Sequence, residues 1–300
     1  RISLKPTDEC PPSPCHFHTH PHSLSKRQLA VSTKSEKPER SSNINTYMSH
    51  LRLKTAALFC CLLCAVLTAC SAHEEKEAKS PEEDASQFVV LTDVVPDAIL
   101  EIRYYSTYNF IGRRIPGYEE PIAMLTRQAA DSLKKVSDDL IKQGYRLKIF
   151  DGYRPQKAVD YFMKWAKDVN DTLMKPYFYP ELDKSVLVPQ EYIAEKSGHT
   201  RGSTIDLTLF DMKLEKEVDM GCTYDYFGLA SHPDAQPGQE IGAYTPINRQ
   251  QYANRMTLQN AMKAHGFKPY DCEWWHFTLE NEPFPNTYFT FPIARSSLKN

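Results

Sequence analysis

Three short stretches of the chain carry the residue types that do chemistry. In Ser197-Gly198-His199-Thr200-Arg201-Gly202-Ser203-Thr204-Ile205-Asp206, an imidazole and a carboxylate stand with six residues between them. That spacing cannot place both on one helix face. They meet if His199 lies in a loop entering a strand that holds Asp206, with Gly202 permitting the tight turn. Glu273-Trp274-Trp275-His276 supplies a second imidazole and a second carboxylate. Residues three apart on a strand point to opposite faces, so Glu273 and His276 need a bend, which the start of a strand can supply. Zinc accepts imidazole nitrogen and carboxylate oxygen at about 2 Å, and a hydrolytic zinc centre uses three protein ligands and one open position. On this reading His199, Asp206 and His276 are the ligands, and Glu273 is the base that takes a proton from water. The third stretch is Asp151-Gly152-Tyr153-Arg154-Pro155. Arg154, fixed by the following proline, can steady a developing oxyanion, with Asp151 to orient it. Taken singly each residue is ordinary: a satisfied histidine, core tryptophans, a turn acid, a surface arginine. Their joint spacing argues for a zinc site.

The elements that must position these groups read as a mixture without regular βαβ alternation, which makes the class α+β. Phe88–Leu91 and Leu100–Tyr105 have strand composition, and 106–121 is loop by its Asn, Gly and Pro content. Thr126 caps a helix whose face is Ala130, Leu133, Val136, Leu140 and Ile141, stopped by Gly144. Leu147–Phe150 is a strand, and Pro155 opens a helix with Ala158, Tyr161, Phe162 and Trp165 on its apolar face. Segments 172–196 and 211–246 show no period. Thr204–Leu209 is a strand, Leu258–His265 a helix closed by Gly266, and Trp274–Leu279 a last strand.

Of the 300 residues, 41% are apolar and 11% aromatic, enough for a substantial core, and the formal charge of −2 excludes a general nucleic-acid binder. Residues 1–47 mix Pro, His, Ser and Lys without hydrophobic period and read as a disordered or untranslated leader. Met48 begins another pattern: Arg52 and Lys54, an apolar run from Ala56 to Ala69, and Leu67-Thr68-Ala69-Cys70. Residues 48–69 read as a lipoprotein signal peptide, and Cys70 as the lipidated first residue of an exported, membrane-anchored protein. Residues 70–87, charged and small, read as a solvated tether, leaving 88–300 as one folded domain. Within that domain only Cys222 and Cys272 remain. In an oxidising compartment they can pair across the site, or stay unpaired as small buried hydrophobes.

These motifs resemble the D-alanyl-D-alanine dipeptidase family, the vancomycin-resistance type among the zinc D,D-peptidases. The wider group carries Ser-x-His-x-x-Gly-x-x-x-Asp and Glu-x-x-His, matched at 197–206 and 273–276. The dipeptidase branch adds Asp-Gly-Tyr-Arg-Pro at 151–155 and Glu-Trp-Trp-His at 273–276. It also adds Arg-Tyr-x-x-x-x-Asn-Phe-x-Gly, here Arg103 to Gly112, and a Pro-Asn-Thr-Tyr-Phe-x-Phe-Pro-like tail at 285–292. The likeness spans 88–293. It implies the hedgehog/D,D-peptidase fold, a small antiparallel sheet with flanking helices. It implies one zinc ion on His199, Asp206 and His276, with Glu273 as base and Arg154 at the intermediate. Ser197 and Asp225 are then substrate residues, Asp225 for the free amine of D-Ala-D-Ala or a related dipeptide. Thr204 and Cys222 stand where Ala and Thr are commoner. The leader departs from the family's cytoplasmic resistance enzymes and points to scavenging of wall peptides at a periplasmic or cell-surface location. A D,D-carboxypeptidase or endopeptidase on peptidoglycan stems is the alternative enzyme, and a non-catalytic wall-binding lipoprotein the alternative that is not one.

Overall fold

A computed structural model describes residues 80–300, apart from Glu191, Asp234, 236–246 and Asn300. The leader, the signal segment, Cys70 and the tether up to residue 79 lie outside the described residues. The strands and helices, in chain order, are β1 (Phe88–Val90), β2 (Ile99–Leu100), β3 (Met124–Thr126), α1 (Arg127–Lys142), β4 (Tyr145–Asp151) and α2 (Gln156–Lys167). There follow α3 (Lys175–Phe178), β5 (Thr204–Asp211), β6 (Lys216–Glu217), α4 (Arg249–Ala264), β7 (Phe267–Tyr270) and β8 (Glu273–Leu279). The α+β class is as expected.

The main sheet runs β2-β4-β5-β8-β7, antiparallel except for the β2–β4 pair. One edge of β5 is covered by β4 from Asp206 to Asp211. The other is shared, β8 pairing with Thr204–Asp206 and β6 with Phe210–Asp211. Pro269 can sit in β7 because β7 is an edge strand, where a missing N–H breaks no ladder. A small second sheet joins β1 to β3.

Helix α1 starts where Thr126 accepts from the Ala129 amide, and it ends at Gly144, whose φ of 89° an L-side chain seldom adopts. Its face of Ala129, Ala130, Leu133, Val136 and Leu140 is wholly buried. Burying each large side chain stabilises the fold by about 1.5–3 kcal/mol. An aromatic cluster of Phe88, Tyr153, Phe289 and Phe291, with ring centroids 4.5–6.4 Å apart, ties the C-terminal tail to β1 and to the turn after β4.

Three expectations need correction, and one alternative left open is decided. Residues 80–87 are not a solvated tether: Ala85 is buried, and the Thr290 amide donates to the Glu82 carbonyl. The strand expected over Leu100–Tyr105 pairs only through Leu100. Glu101 and Arg103 still donate to β4 carbonyls, and the chain then turns at Arg103–Tyr105. Helix α4 begins nine residues before Leu258, because its inward face there is Arg255 and so the apolar period is interrupted. Of the two readings left open for Cys222 and Cys272, the structure has the one without a bridge. The Cys222 thiol is instead enclosed by the Trp274 indole N–H at 3.3 Å, the Arg255 guanidinium at 3.6 Å and the Ala230 carbonyl at 3.4 Å.

Candidate active site

Three adjacent strands present one row of polar groups. Asp206 on β5 pairs with His276 on β8 on one side and with Asp151 on β4 on the other. Directly paired residues of antiparallel strands face the same side. Asp151 reaches that row only through an irregularity between Ile149 and Asp151, which shifts the register by one. Without the shift, Asp151 would face the opposite side of the sheet. A larger slip, of three residues, between Pro269 and Tyr270 brings Tyr270 opposite Glu273, and this is the bend that lets Glu273 and His276 share a pocket.

His199 enters from a 3-10 turn, Gly198–Arg201. Ser197 caps that turn, its hydroxyl accepting from the His199 amide at 3.3 Å. Gly202 ends it with φ 81°, and a Cβ there would lie 2.3 Å from two ring atoms of Phe88. The glycine expected to permit the turn is therefore also required by close packing. The Gly202 amide donates to His199 O, its carbonyl accepts from Thr126, and Thr200 O accepts from Phe289. The turn is thereby held between β3 and the tail.

The convergence is tight. His199 Nε2 lies 3.2 Å from Asp206 Oδ2, and His276 Nδ1 lies 3.1 Å from Asp206 Oδ1. The two imidazole nitrogens are 3.3 Å apart, and Glu273 Oε2 is 3.3 Å from His276 Nδ1. His199 Nδ1 sits 2.7 Å from the Gly152 carbonyl. A carbonyl only accepts, so Nδ1 carries the proton and the Nε2 lone pair points into the cluster. Asp206 Oδ1 is buried and makes no well-aligned hydrogen bond among the described residues, although His276 Nδ1 stands 3.1 Å away. Ligand atoms of the three residues lie within 4.8 Å of one another. Converging lone pairs and an orphaned carboxylate oxygen fit a divalent cation, and the N,N,O donor set suits zinc.

Charge points the same way. Burial works against the charged form of Asp206, but the two imidazoles outweigh it and hold its carboxyl below the usual carboxylate range. Burial depresses His199, leaving it neutral as a metal ligand must be. It also opposes charge on His276, yet Asp206 and Glu273 raise that ring to about 9, so a metal ion bound there must displace its proton. Acidic groups crowd a cavity whose one permanent cation among the described residues is Arg154.

Arg154 follows β4 and stands just before Pro155, the N-cap of α2. Its Nε donates to Asp151 Oδ2 at 2.9 Å, one nitrogen lies 3.7 Å from Asp206 Oδ2, and its guanidinium covers the rings of Tyr104 and Phe162 at 5.0 and 5.3 Å. Asp151 orients it, as expected. Burial pushes the Asp151 carboxyl up while Arg154 draws it down, and Tyr118 donates to its other oxygen at 2.8 Å. Asp225 is also buried, 5% exposed, in the segment 220–228. Its two oxygens accept from the Tyr104 hydroxyl at 3.1 and 3.0 Å. Tyr224 donates to Asp206 Oδ2 at 3.0 Å. These three phenols were not anticipated from sequence. A tyrosine in an apolar run reads as core, and only the two tyrosines flanking Asp225 hint at more.

A paired imidazole–carboxylate metal cradle, with a free carboxylate and a fixed arginine at its rim, defines a class: metal-dependent peptidases. Comparison with known proteins narrows it. The model of the D-ala-D-ala dipeptidase family matches residues 84–294, and the chain belongs to that family. The D-alanyl-D-alanine dipeptidase of Enterococcus faecium is 37% identical over 206 residues, covering 69% of this chain and 98% of that protein. The Streptomyces coelicolor protein of the same name is 35% identical over 207 residues, with the same coverage of both chains. The Escherichia coli one is 30% identical over 199 residues, 65% of this chain and 86% of that protein. The match begins at residue 84, where packing against the domain has already begun.

Proposed function

We propose that the protein hydrolyses D-alanyl-D-alanine and similar short dipeptides with one zinc ion held by His199, Asp206 and His276, in turnover of cell-wall peptides. The observation that carries this reading is the cluster itself, whose orphaned Asp206 oxygen and His199 Nε2 lone pair face His276 Nδ1, with Glu273 beside them. Bound there, zinc acts as a Lewis acid and makes water a nucleophile near neutral pH. Glu273 takes the proton of the attacking water and returns it to the departing amine, a shuttle that its half-buried position at the start of β8 permits. Arg154 stays charged at any working pH and offers its guanidinium to the oxyanion, steadied by Asp151. Asp225 takes the substrate's amine, and the Ser197 hydroxyl serves the substrate side of the same turn that carries His199. The names of the relatives support the substrate.

We further infer that the protein is exported and held at a membrane by lipid on Cys70, on the strength of the signal-like segment before that residue. Cys70→Ser should move it from the membrane to the soluble fraction. For the activity, the test is metal analysis together with D-Ala release from D-Ala-D-Ala and from a wall pentapeptide. Fast release from the dipeptide alone is expected. Equal rates on both would favour a D,D-carboxypeptidase, and no release from either would end the peptidase reading.

A further inference from the structure

We propose that Arg201 is a positioning residue for the metal ligand His199: its ion pair with Glu282 ties the turn that carries His199 to the end of β8, the strand that carries His276. The inference rests on the reading of His199, Asp206 and His276 as a metal cradle.

The three ligands are not held alike. Asp206 and His276 stand opposite each other in the β5–β8 ladder, so the backbone of two adjacent strands fixes their separation. His199 is the ligand outside the sheet, on the four-residue 3-10 turn Gly198–Arg201. A turn of that length has little stability of its own and takes its position from what it touches. The His199 carbonyl accepts from the Arg154 and Gly202 amides, and the Thr200 carbonyl accepts from Phe289. These bonds fasten the turn to the stretch after β4 and to the tail. Among the described residues no backbone hydrogen bond joins 198–201 to β8. The bond from Nδ1 to the Gly152 carbonyl fixes the tautomer of the His199 ring and aims it, yet leaves its distance from His276 to the backbone.

Arg201 supplies the missing link. Its Nε donates to both Glu282 oxygens, at 3.0 and 2.9 Å, and a terminal nitrogen lies 2.8 Å from Oε1. The two side chains are 19% and 12% exposed, so water and salt screen this pair less than a surface one. The guanidinium folds back across its own turn, where a Cβ on Gly198 would lie 3.6 Å from it.

Glu282 is a firm anchor. It stands three residues beyond Leu279, the last residue of β8. The Glu280 amide donates to the Gly266 carbonyl, and the Asn281 carbonyl accepts from the Gln128 side chain at 2.8 Å. The clamp therefore joins the turn of one imidazole to the strand of the other. The two rings meet edge to face, with centroids 4.8 Å apart and nitrogens 3.3 Å apart. A bound cation needs its ligand distances within about 0.2 Å, so a small drift of the turn costs affinity.

The experiment measures zinc dissociation constants of the full chain by competition with a chelator, beside thermal melts of the same proteins. Arg201→Met and Glu282→Gln each break the clamp from one side. In both, the constant should rise about 10–100-fold, the scale for an outer partner of a metal ligand. The double variant should lose no more than the weaker-binding single one, because both substitutions remove the same interaction. Gly144→Ala, whose new methyl group meets nothing within 4 Å, loses stability without touching the clamp. Its zinc constant should stay within about threefold of wild type, as for an independent site. A merely stabilising ion pair would lower Tm and leave the zinc constant alone. An unchanged constant in either single variant, additive losses in the double one, or an equal loss in Gly144→Ala would therefore overturn the proposal. Should Arg201→Met fail to fold, Arg201→Lys keeps the charge without the planar fork. It should fold and still weaken zinc, and wild-type affinity or a second failure to fold would equally overturn the inference. A wild-type chain that binds no zinc would sink the metal reading itself, an outcome distinct from any of these.

Discussion

Gly202→Ala isolates what the close packing beneath the site is worth. Two costs add. An L-residue held at φ 81° loses about 1–2 kcal/mol relative to glycine. The new Cβ would also stand 2.3 Å from Cε1 and Cζ of Phe88, far inside contact distance, so the ring must move. Phe88 meets Tyr153, Phe289 and Phe291 edge-on at 4.8–5.1 Å, and each such pair contributes about 0.5–1.5 kcal/mol beyond its buried area. Disturbing two of the three brings the total to about 2–5 kcal/mol. For a domain of this size each kcal/mol lowers Tm by about 2–4 °C, so the loss should exceed about 4 °C. Gly144→Ala is the control. Its φ is 89°, yet nothing lies within 4 Å of where the new methyl group would stand, so only the backbone cost of about 1–2 kcal/mol applies. Paired thermal melts of the two variants give the steric term by difference. Equal shifts would refute the packing argument, and a Gly202→Ala protein that melts with wild type would refute both halves of it.

His276→Ala should lose metal and turnover together after dialysis, since a three-ligand cradle has no spare donor, and full zinc occupancy by elemental analysis would contradict the assignment. Glu273→Gln should keep its zinc and lose about 10²–10⁴ in kcat, because the amide cannot accept a proton; normal turnover would misplace the base. Unfolded without reductant, a fragment spanning 80–300 should titrate two thiols, Cys222 and Cys272, and zero would mean the cysteines pair after all. Tyr224→Phe removes the donor to Asp206 while leaving its stack on Phe150, so it should weaken zinc affinity, read by competition with a chelator.

The metal cradle was legible because its residues are of rare types at distinctive spacing, and because Gly202 advertises a turn. The means of bringing them together were not. Asp151 reaches the right face through a one-residue slip opposite Leu207–Asp206, and no residue type announces it. The bend at Glu273 could be required on geometric grounds, but its source, the slip beside Pro269, depended on an edge strand that the proline itself disguised. Tyr104, Tyr118 and Tyr224 have the signature of core aromatics and are core aromatics; only their hydroxyls reach the polar cluster, and hydrophobic periodicity does not register one atom. Helix α4 shows the converse, a buried arginine occupying a position where the pattern demands an apolar side chain.

That arginine also bears on the two cysteines. A bridge from Cys222 to Cys272 was one of two readings of those thiols, and Arg255 fastens the stretch that carries Cys222 by other means. Its Nε donates to Met220 O at 2.6 Å, and its two terminal nitrogens to His232 O at 3.1 Å and Ala230 O at 2.8 Å. One planar fork therefore grips both ends of the stretch whose middle carries Tyr224 and Asp225. Gln251 and Asn254, one turn and one residue earlier on α4, bind the side chain and carbonyl of Asp219 just upstream. Arg255 is 1% exposed and forms no ion pair among the described residues; burial lowers its pKa, and the carbonyl dipoles hold its charge in place of a carboxylate. The two devices act on different states. A disulfide acts largely by restricting the unfolded chain. The arginine fork exists only in the native state and orders the segment there, where each hydrogen bond to its charge is worth about 1.5–3 kcal/mol. Cys222 then needs no partner thiol, since the Trp274 indole and the guanidinium already enclose it. The stretch that carries Asp225 is thus fastened to α4, while Asp206 and His276 sit on β5 and β8. Substitutions on α4 can therefore shift the Asp225 stretch without touching His199, Asp206 or His276.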